Sequence, residues 1–192
     1  MMKNFITISA PSGSGKTTLC KALQKVESEI QWSISYTTRK RRQIEEDGVD
    51  YHFVSQSKFE NFILSDYFIE WENVHGFYYG TAKNTLDSAI KNHKTLLLEM
   101  DVKGSMNIKR LYPDNTFSIF IIPPSLEHLR ERLKKRGTDT KNVIEIRLKR
   151  FQQEMAFKNK FDYVMVNEEL DLAKIELIQT VQRLKKGVVN GT

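Results

Sequence analysis

The 192-residue sequence has one cysteine, Cys20, and no apolar run long enough to cross a membrane. A lone cysteine excludes an intrachain disulfide, and its place just inside the first predicted helix is that of a small buried hydrophobic residue. A bilayer span needs about 20 apolar residues, and residues 1–4 lack the apolar length of a signal peptide. These absences predict a cytoplasmic protein that has no membrane partner.

The sequence also has few histidines, and its four have no spacing typical of metal ligands and sit among no cysteines. Neither a transition-metal site nor a histidine base is therefore expected. The sequence contains no internal repeat, and its length corresponds to one domain. A formal net charge of +6 favours an anionic partner. Composition alone leaves nucleic acid, a membrane surface and small phosphate-bearing molecules open.

What is present is organised around Ala-Pro-Ser-Gly-Ser-Gly-Lys-Thr at residues 10–17. An apolar run at residues 5–9 precedes it and a helical pattern follows, which is the context of a phosphate-binding loop. In such a loop, backbone N–H groups surround a polyphosphate at a helix N-terminus, Lys16 reaches the β- and γ-phosphates, and Thr17 offers its hydroxyl to Mg²⁺. The stretch predicts a nucleoside triphosphate site. Its residues are Ser12, Gly13, Ser14, Gly15, Lys16, Thr17 and Thr18.

Further apolar runs indicate the fold class. Their hydrophobicity is continuous rather than alternating, which is typical of parallel strands covered on both faces. Strand-like runs lie at residues 95–100, 118–122 and 163–166, and helical spacing covers residues 126–133, 144–155 and 172–181. This alternation predicts an α/β fold with a parallel sheet. Residues 33–92 interrupt it with short half-exposed strands and one short helix, which predicts an inserted lobe. The densely charged residues 132–147 predict a mobile flap.

A second set of motifs carries a resemblance to a known family. The motifs are Ser-Ile-Ser-Tyr-Thr-Thr-Arg-Lys-Arg-Arg at residues 33–42, then Glu45, Gly48 and Tyr51, Glu-Trp at 70–71, Tyr-Tyr-Gly-Thr at 78–81 and Glu-Met-Asp at 99–101. With the phosphate-binding loop, they closely resemble guanylate kinase, the enzyme that moves a phosphoryl group from ATP to GMP. The resemblance extends from residue 8 to residue 167.

The resemblance implies a three-layer P-loop fold with a mainly parallel sheet, a small mixed-β lobe that binds GMP, and a helical lid. The whole chain forms one domain, with its core at 1–32, 93–125 and 158–192, the lobe at 33–92 and the lid at about 126–157. The implied reaction is ATP-dependent phosphorylation of GMP, with dGMP as a second expected acceptor and Mg²⁺ accompanying ATP. A monomer or homodimer is expected. Nucleic acid is not expected as a partner, because the positive charges already have phosphates to meet.

The implied acceptor site has two parts. Guanine carries two donors, N1–H and the 2-amino group, so a pocket that selects guanine must present acceptors. For guanine the resemblance supplies Ser35, Glu70, Thr81 and Asp101. For the phosphate of GMP it supplies Arg39, Arg42, Tyr51 and Tyr79. The family commonly has Pro, Pro and Gly where this chain has Arg41, Gln43 and Ile44, which predicts a less rigid loop.

The implied catalytic residues are cations, because phosphoryl transfer needs alignment and charge neutralisation more than covalent chemistry. Lys16 acts from the phosphate-binding loop, and the resemblance adds Arg136 and Arg147 on or beside the flap. Without the resemblance, these two residues would be interpreted as exposed arginines on helices. Glu99 ends an apolar strand at the place where P-loop enzymes put a carboxylate near Mg²⁺, usually through water. The metal is therefore expected on Thr17, with Glu99 reaching it through water.

Two alternatives stay open at this point. A P-loop kinase for another nucleoside monophosphate or a phosphorylated sugar would keep the loop and the flap arginines without needing Ser35, Glu70 and Asp101 together. A non-catalytic module of the same family, which holds protein partners, typically has a degraded phosphate-binding loop. Here the glycines, the lysine and the threonine of that loop are all present.

Overall fold

The computed structural model describes residues 3–74, 76–137 and 139–188, without the side chain of Arg136. The strands are β1 Phe5–Ser9, β2 Gln31–Trp32, β3 Tyr36–Thr37, β4 His52–Phe53, β5 Phe68–Val74, β6 Phe77–Ala82, β7 Leu96–Glu99, β8 Thr116–Ile122 and β9 Tyr163–Val166. The α-helices are α1 Lys16–Val26, α2 Gln56–Leu64, α3 Lys83–Lys91, α4 Val102–Leu111, α5 Leu126–Arg136, α6 Lys141–Met155 and α7 Leu170–Lys185. In these ranges, no helix is both long and apolar enough to span a bilayer.

The larger sheet has the order β2-β7-β1-β8-β9, and all its strand pairs are parallel. Alternate residues of β1 face opposite ways, as the two-residue period of a strand requires. Ile6 and Ile8 pack with α1 and α7, whereas Phe5 packs in a second cluster with residues of α3 and α4. Helices on both faces account for the continuous apolar runs. The predicted three-layer α/β class is confirmed, and the two-residue strand β2 is an edge strand that the sequence pattern did not indicate.

Helix α7 forms where a helix was predicted, with a different buried face. The predicted apolar row was Leu172, Ile175, Ile178 and Val181. Ile178 and Val181 pack in the core, but Leu172 and Ile175 are 61% and 52% exposed. The buried row is Ala173, Leu177 and Val181, spaced four residues apart. Three residues turn the helix by about 300° and four residues by about 400°, against a full turn of 360°. A row of residues spaced by three therefore drifts around the helix and away from the core faster than a row spaced by four.

The smaller sheet has the order β4-β3-β6-β5 and is mixed, with β3 parallel to β4 and antiparallel to β6. Strands β3 and β4 are shorter than the runs predicted at residues 34–38 and 51–54, while β5 continues to Val74. Ser55 caps α2, accepting a hydrogen bond from the Lys58 amide at 3.2 Å. The ring of Phe68 packs against Tyr36 of β3 and against Phe59 of α2, which joins that helix to this sheet.

Helices α5 and α6 form a helical hairpin with an apolar cluster of its own. The cluster is made by Leu129, Leu133, Ile144, Leu148 and Phe151. Both helices begin at a hydroxyl cap, Ser125 for α5 and Thr140 for α6, and Gly137 ends α5 with a φ of 70°. Gly137 thus separates the two helices as predicted, whereas the Thr138 beside it lies outside the described residues. A separate cluster suits a unit that can move as a body.

Candidate active site

The phosphate-binding loop connects β1 to α1, as the sequence predicted. Lys16 Nζ donates a hydrogen bond to the Met100 carbonyl at 2.9 Å and lies 3.9 Å from Glu99 Oε1. Thr17 Oγ1 donates to Glu99 Oε1 at 2.6 Å. The lysine, the threonine and the acid therefore meet at the carboxyl ends of two neighbouring parallel strands, where α/β proteins bind ligands.

Two other elements fix the back of this loop. Asn167, which follows β9, is buried and donates from Nδ2 to the Ser14 carbonyl at 2.7 Å. Gly13 has a φ of 95°, and a Cβ there would lie 3.0 Å from Leu133 Cδ2 and 3.2 Å from Leu129 Cδ1 of α5. The loop is consequently packed on the helical hairpin as well as on the larger sheet.

The helical hairpin brings one predicted cation to the loop. Arg147 of α6 hydrogen-bonds Ser12 Oγ, and its Nη2 lies 3.1 Å from Asp139 Oδ1. Asp139 is almost fully buried and comes just before the Thr140 cap of α6. The guanidinium is therefore anchored by an acid of its own hairpin while it faces the loop. Arg136 was predicted beside it, and its side chain lies outside the described residues.

The predicted phosphate arginines lie on a loop that one acid organises. Arg39 makes a two-pronged contact with Glu45, at 3.0 Å from Nη1 and 2.8 Å from Nη2, and its guanidinium lies 5.3 Å from the ring centroid of Tyr51. Glu45 also accepts from the Arg42 amide at 2.9 Å. Burial alone would raise the pKa of Glu45, but the hydrogen bonds from Arg39 and Arg42 lower it. Glu45 thus shapes the loop in which the family's Pro and Gly residues are missing.

Glu70 and Asp101, two of the predicted guanine residues, flank Gly104 of α4, and Thr81 contacts Glu70. Thr81 Oγ1 donates to Glu70 Oε1 at 2.6 Å, and Asp101 caps α4, its Oδ1 accepting from the Gly104 amide at 2.8 Å. A Cβ on Gly104 would lie 3.0 Å from Glu70 Oε2 and 3.3 Å from Asp101 Oδ1. Burial raises the pKa of Glu70 to about 7, and the charges of Asp101 and Glu72 add to this, while the Thr81 hydrogen bond opposes it.

Two cavities are lined by most of the predicted residues, whereas Glu70 and Thr81 are in the lining of neither. A cleft of about 740 Å³ lies between the phosphate-binding loop, the smaller sheet and the helical hairpin, and it is lined by Lys16, Arg39, Arg42, Tyr79, Asp101 and Arg147. A second cavity of about 690 Å³ is lined by Ser35, Tyr51 and Glu99. Thr17 and Arg42 line both. The structure therefore brings cations of the phosphate-binding loop, the Arg39–Arg42 loop and α6 into one cleft, whereas Ser35 and Tyr51 line the neighbouring cavity.

Comparison with known proteins identifies the family. A model of the family described as guanylate kinase matches residues 2–184. The chain belongs to the guanylate kinase family. The guanylate kinase of Polaromonas sp. (strain JS666) is 44% identical over 184 residues, covering 95% of this chain and 89% of that protein. The guanylate kinase of Wolinella succinogenes is 45% identical over 166 residues, covering 86% and 77%.

The fold of the family is shared as well. The crystal structure of guanylate kinase from Anaplasma phagocytophilum superposes with a TM-score of 0.79 at 28% sequence identity, covering 96% of this chain and 89% of that one. The likeness therefore includes the smaller sheet and the helical hairpin in addition to the P-loop core. Membership of the guanylate kinase family makes this chain a nucleoside monophosphate kinase by descent, in line with the two anion-binding loops of the cleft.

Sequence reasoning missed one cation of the cleft. Arg150, one turn beyond Arg147 on α6, lines the cleft and lies 3.1 Å from Asp101 Oδ2. Its Nε donates to Glu154 Oε1 at 2.8 Å. Burial raises the pKa of Glu154, and the hydrogen bond from Arg150 opposes that rise. The three-residue spacing from Arg147 places both arginines on neighbouring parts of one helix face, a signal that could have found Arg150.

The described residues fit a magnesium ion that arrives with a nucleotide. In the described ranges, no group of three or more His, Cys, Asp or Glu side chains could hold a metal. The donors that are present, the Thr17 hydroxyl and the Glu99 carboxylate, are hard oxygen ligands in direct contact. Mg²⁺ is commonly held by one or two protein oxygens, with phosphates and waters completing its shell. This donor set suits that arrangement.

Proposed function

We propose that this protein transfers the γ-phosphoryl group of ATP to GMP, forming ADP and GDP. The observation that carries the proposal is the second anion site: Arg39 and Arg42 line the same cleft as Lys16. A phosphate-binding loop alone serves hydrolysis and transfer equally well. A second set of cations across the cleft, with two carboxylates nearby, supplies an acceptor nucleotide and favours transfer.

The donor residues take their roles from the phosphate-binding loop and the helical hairpin. The backbone of residues 12–18 holds the phosphates of ATP, with Lys16 on the β- and γ-phosphates. Arg147 is supported as a second cation by its contact with Ser12. Arg136 is assigned beside it from the family motif. Mg²⁺ would be held by Thr17, with Glu99 through water, and when bound it supplies neutralising charge between the phosphates.

The acceptor residues take their roles from the smaller sheet and α4. Glu70 and Asp101 accept from the N1–H and 2-amino groups of guanine, and Thr81 orients Glu70. Ser35 is assigned to O6. The phosphate of GMP is assigned to Arg39, Arg42, Tyr51 and Tyr79. Glu45 orients Arg39 through Nη1 and Nη2, and a guanidinium has five N–H donors, so others remain for the phosphate.

Transfer follows from this arrangement. An oxygen of the GMP phosphate attacks the γ-phosphorus in line, the new P–O bond forms, and the bond to the β-phosphate oxygen breaks with its electron pair leaving on ADP. Lys16 and Arg147 neutralise the moving group. The division into core, GMP-binding lobe (33–92) and lid (about 126–157) belongs to this proposal, since a closing lid excludes water that would hydrolyse ATP. The chain acts in the cytoplasm as a monomer or homodimer.

A coupled assay that compares GMP, dGMP, AMP, CMP and UMP tests the proposal. GMP is expected to be preferred over AMP by several orders of magnitude, because adenine lacks the N1–H and 2-amino donors that Glu70 and Asp101 are assigned to accept. Lys16→Ala is expected to lower turnover by about 10³-fold or more with the fold intact. Lys25→Ala, an exposed lysine on the same helix, is the matched control. A preference for AMP, or unchanged turnover of Lys16→Ala, would overturn the assignment.

A further inference from the structure

Arg150 occupies an unusual position among the cations of the cleft. Arg147 faces the phosphate-binding loop, whereas Arg150 on the same helix reaches Asp101, 49 residues away in sequence. Asp101 is the N-cap of α4 and one of the two proposed guanine acceptors. The contact therefore joins the helical hairpin directly to the proposed base pocket.

The contact is partly shielded from solvent. The side chains of Arg150 and Asp101 are 27% and 18% exposed, and Nη2 lies 3.1 Å from Oδ2. Glu154, one turn along α6 and 13% exposed, accepts from Arg150 Nε at 2.8 Å. Two anchors, one at Nε and one at Nη2, fix the guanidinium plane, and a fixed fork loses less side-chain freedom per hydrogen bond than a mobile one. An exposed surface ion pair would contribute little, but this pair is held in place.

The charges nearby explain why a cation is needed there. Glu70 Oε2 and Asp101 Oδ1 both flank Gly104, and Glu154 adds a third acid on the hairpin side. Among the described residues, Arg150 is the one cation in ion-pair contact with Asp101, since Lys16 pairs instead with Glu99. Without Arg150, like charges would push the Asp101 side chain away from Glu70, and its remaining anchor would be the Gly104 amide.

The geometry also leaves Asp101 able to bind a base. A carboxylate has about four acceptor positions. Asp101 uses one on Oδ1 for the Gly104 amide and one on Oδ2 for Arg150. The remaining positions are open to donors of guanine, so Arg150 can stay bound while the base enters.

We propose that Arg150 is a positioning residue for guanine recognition, which holds the Asp101 carboxylate in its acceptor orientation from the hairpin side. This inference rests on the proposed function. It also means that the helical hairpin contributes to the affinity for GMP, in addition to its contact with the ATP loop.

The test is a double-mutant cycle. Arg150→Gln removes the charge and withdraws the Nη2 donor while it keeps a polar side chain, and Asp101→Asn keeps an acceptor for the helix cap while it removes the charge. Arg150→Gln is expected to raise the KM for GMP about tenfold and to leave the KM for ATP within about twofold. In the Asp101→Asn background, Arg150→Gln is expected to change the KM for GMP less than twofold, because the effects of substitutions at two residues that act as a unit are not additive. Arg150→Lys should recover part of the loss.

The controls separate this inference from the proposed function. Lys149→Ala, an exposed neighbour on α6, should leave all constants unchanged. If the wild-type chain prefers AMP, the proposed function fails before any variant is compared. Once the preference for GMP is established, any of three results would overturn the inference. These are an unchanged KM for GMP in Arg150→Gln, an equal rise in the KM for ATP, or effects of Arg150→Gln and Asp101→Asn on the KM for GMP that are fully additive. Arg150→Lys supplies the comparison if Arg150→Gln does not fold.

Discussion

Glu70 is an acid whose position brings its titration into the neutral pH range. Burial and the neighbouring acids raise its pKa to about 7. Above that pH the side chain is a carboxylate and accepts hydrogen bonds, as the N1–H and 2-amino donors of guanine require. Below it, the protonated acid presents an O–H in place of one acceptor, and this O–H repels a donor. Because the group titrates near neutrality, the proposed binding of guanine is expected to depend on pH.

The first prediction follows from this titration. Since kcat/KM reports groups of the free enzyme, kcat/KM for GMP is expected to fall about tenfold between pH 8 and pH 6 as Glu70 is protonated. The GMP phosphate also titrates near pH 6, so Glu70→Gln is the control. The kcat/KM of this variant should be much lower, and its pH profile should no longer show a fall near pH 7. A limb that persists unchanged in Glu70→Gln would assign the titration to another group.

The second prediction concerns Gly104, which the sequence reasoning did not single out. A methyl group there would press on Glu70 Oε2 and Asp101 Oδ1. Alanine favours a helix over glycine by up to about 1 kcal/mol. Gly104→Ala is therefore expected to leave the Tm unchanged or higher while it raises the KM for GMP about tenfold. Arg110→Ala, exposed at the end of the same helix, should leave the KM unchanged. A normal KM would show that Glu70 can shift without loss.

At the scale of elements, the packing of the phosphate-binding loop on α5 links nucleotide binding to the helical hairpin. Gly13 has a φ of 95° and sits against Leu133 and Leu129. Two separate costs therefore meet at this position: left-handed strain of about 1–2 kcal/mol for a residue with a Cβ, and crowding of α5 by the added methyl group.

The third prediction separates these two costs. Gly137 also has a positive φ, 70°, but a Cβ there would meet nothing within 4 Å. Gly137→Ala should therefore show strain alone, lowering the Tm by roughly 2–8 °C. Gly13→Ala should lower the Tm further, because overpacking costs about 1–3 kcal/mol more, and it should raise the KM for ATP. Equal losses of Tm in the two variants would contradict the packing of the loop on α5.

Sequence patterns predicted those elements that repeat a simple physical rule. Strands β1 and β9 were bounded correctly because buried parallel strands are continuous apolar runs that end abruptly. Strand β2 has two residues and no pattern of its own, since it exists only by pairing with β7. The two-pronged contact between Arg39 and Glu45 could not be predicted, because it depends on a loop conformation that residue spacing does not determine. The spacing from Arg147 could have found Arg150, but its contact with Asp101 could not be predicted, because the two residues are 49 positions apart.

At the scale of the molecule, the smaller sheet and the helical hairpin form opposite walls of the cleft. Apolar side chains line both walls: Val74 and Phe77 on the sheet, and Val143 and Ile146 on α6. Phe77 and Ile146 are 40% and 59% exposed in this structure. Burying apolar surface is favourable, so contact between these walls would stabilise a closed form in which water is excluded from the reacting phosphates.

The fourth prediction tests that closure. Phe77→Ser and Ile146→Ser are each expected to lower kcat several-fold, while the rise in Tm that GMP alone produces stays the same, because neither side chain is assigned to bind GMP. If the two side chains meet on closure, the double variant should lose little more than either single variant. Leu64→Ser removes a residue that is 83% exposed at the end of α2 and should leave kcat unchanged. Independent, additive losses of kcat would mean that the two walls do not meet during turnover.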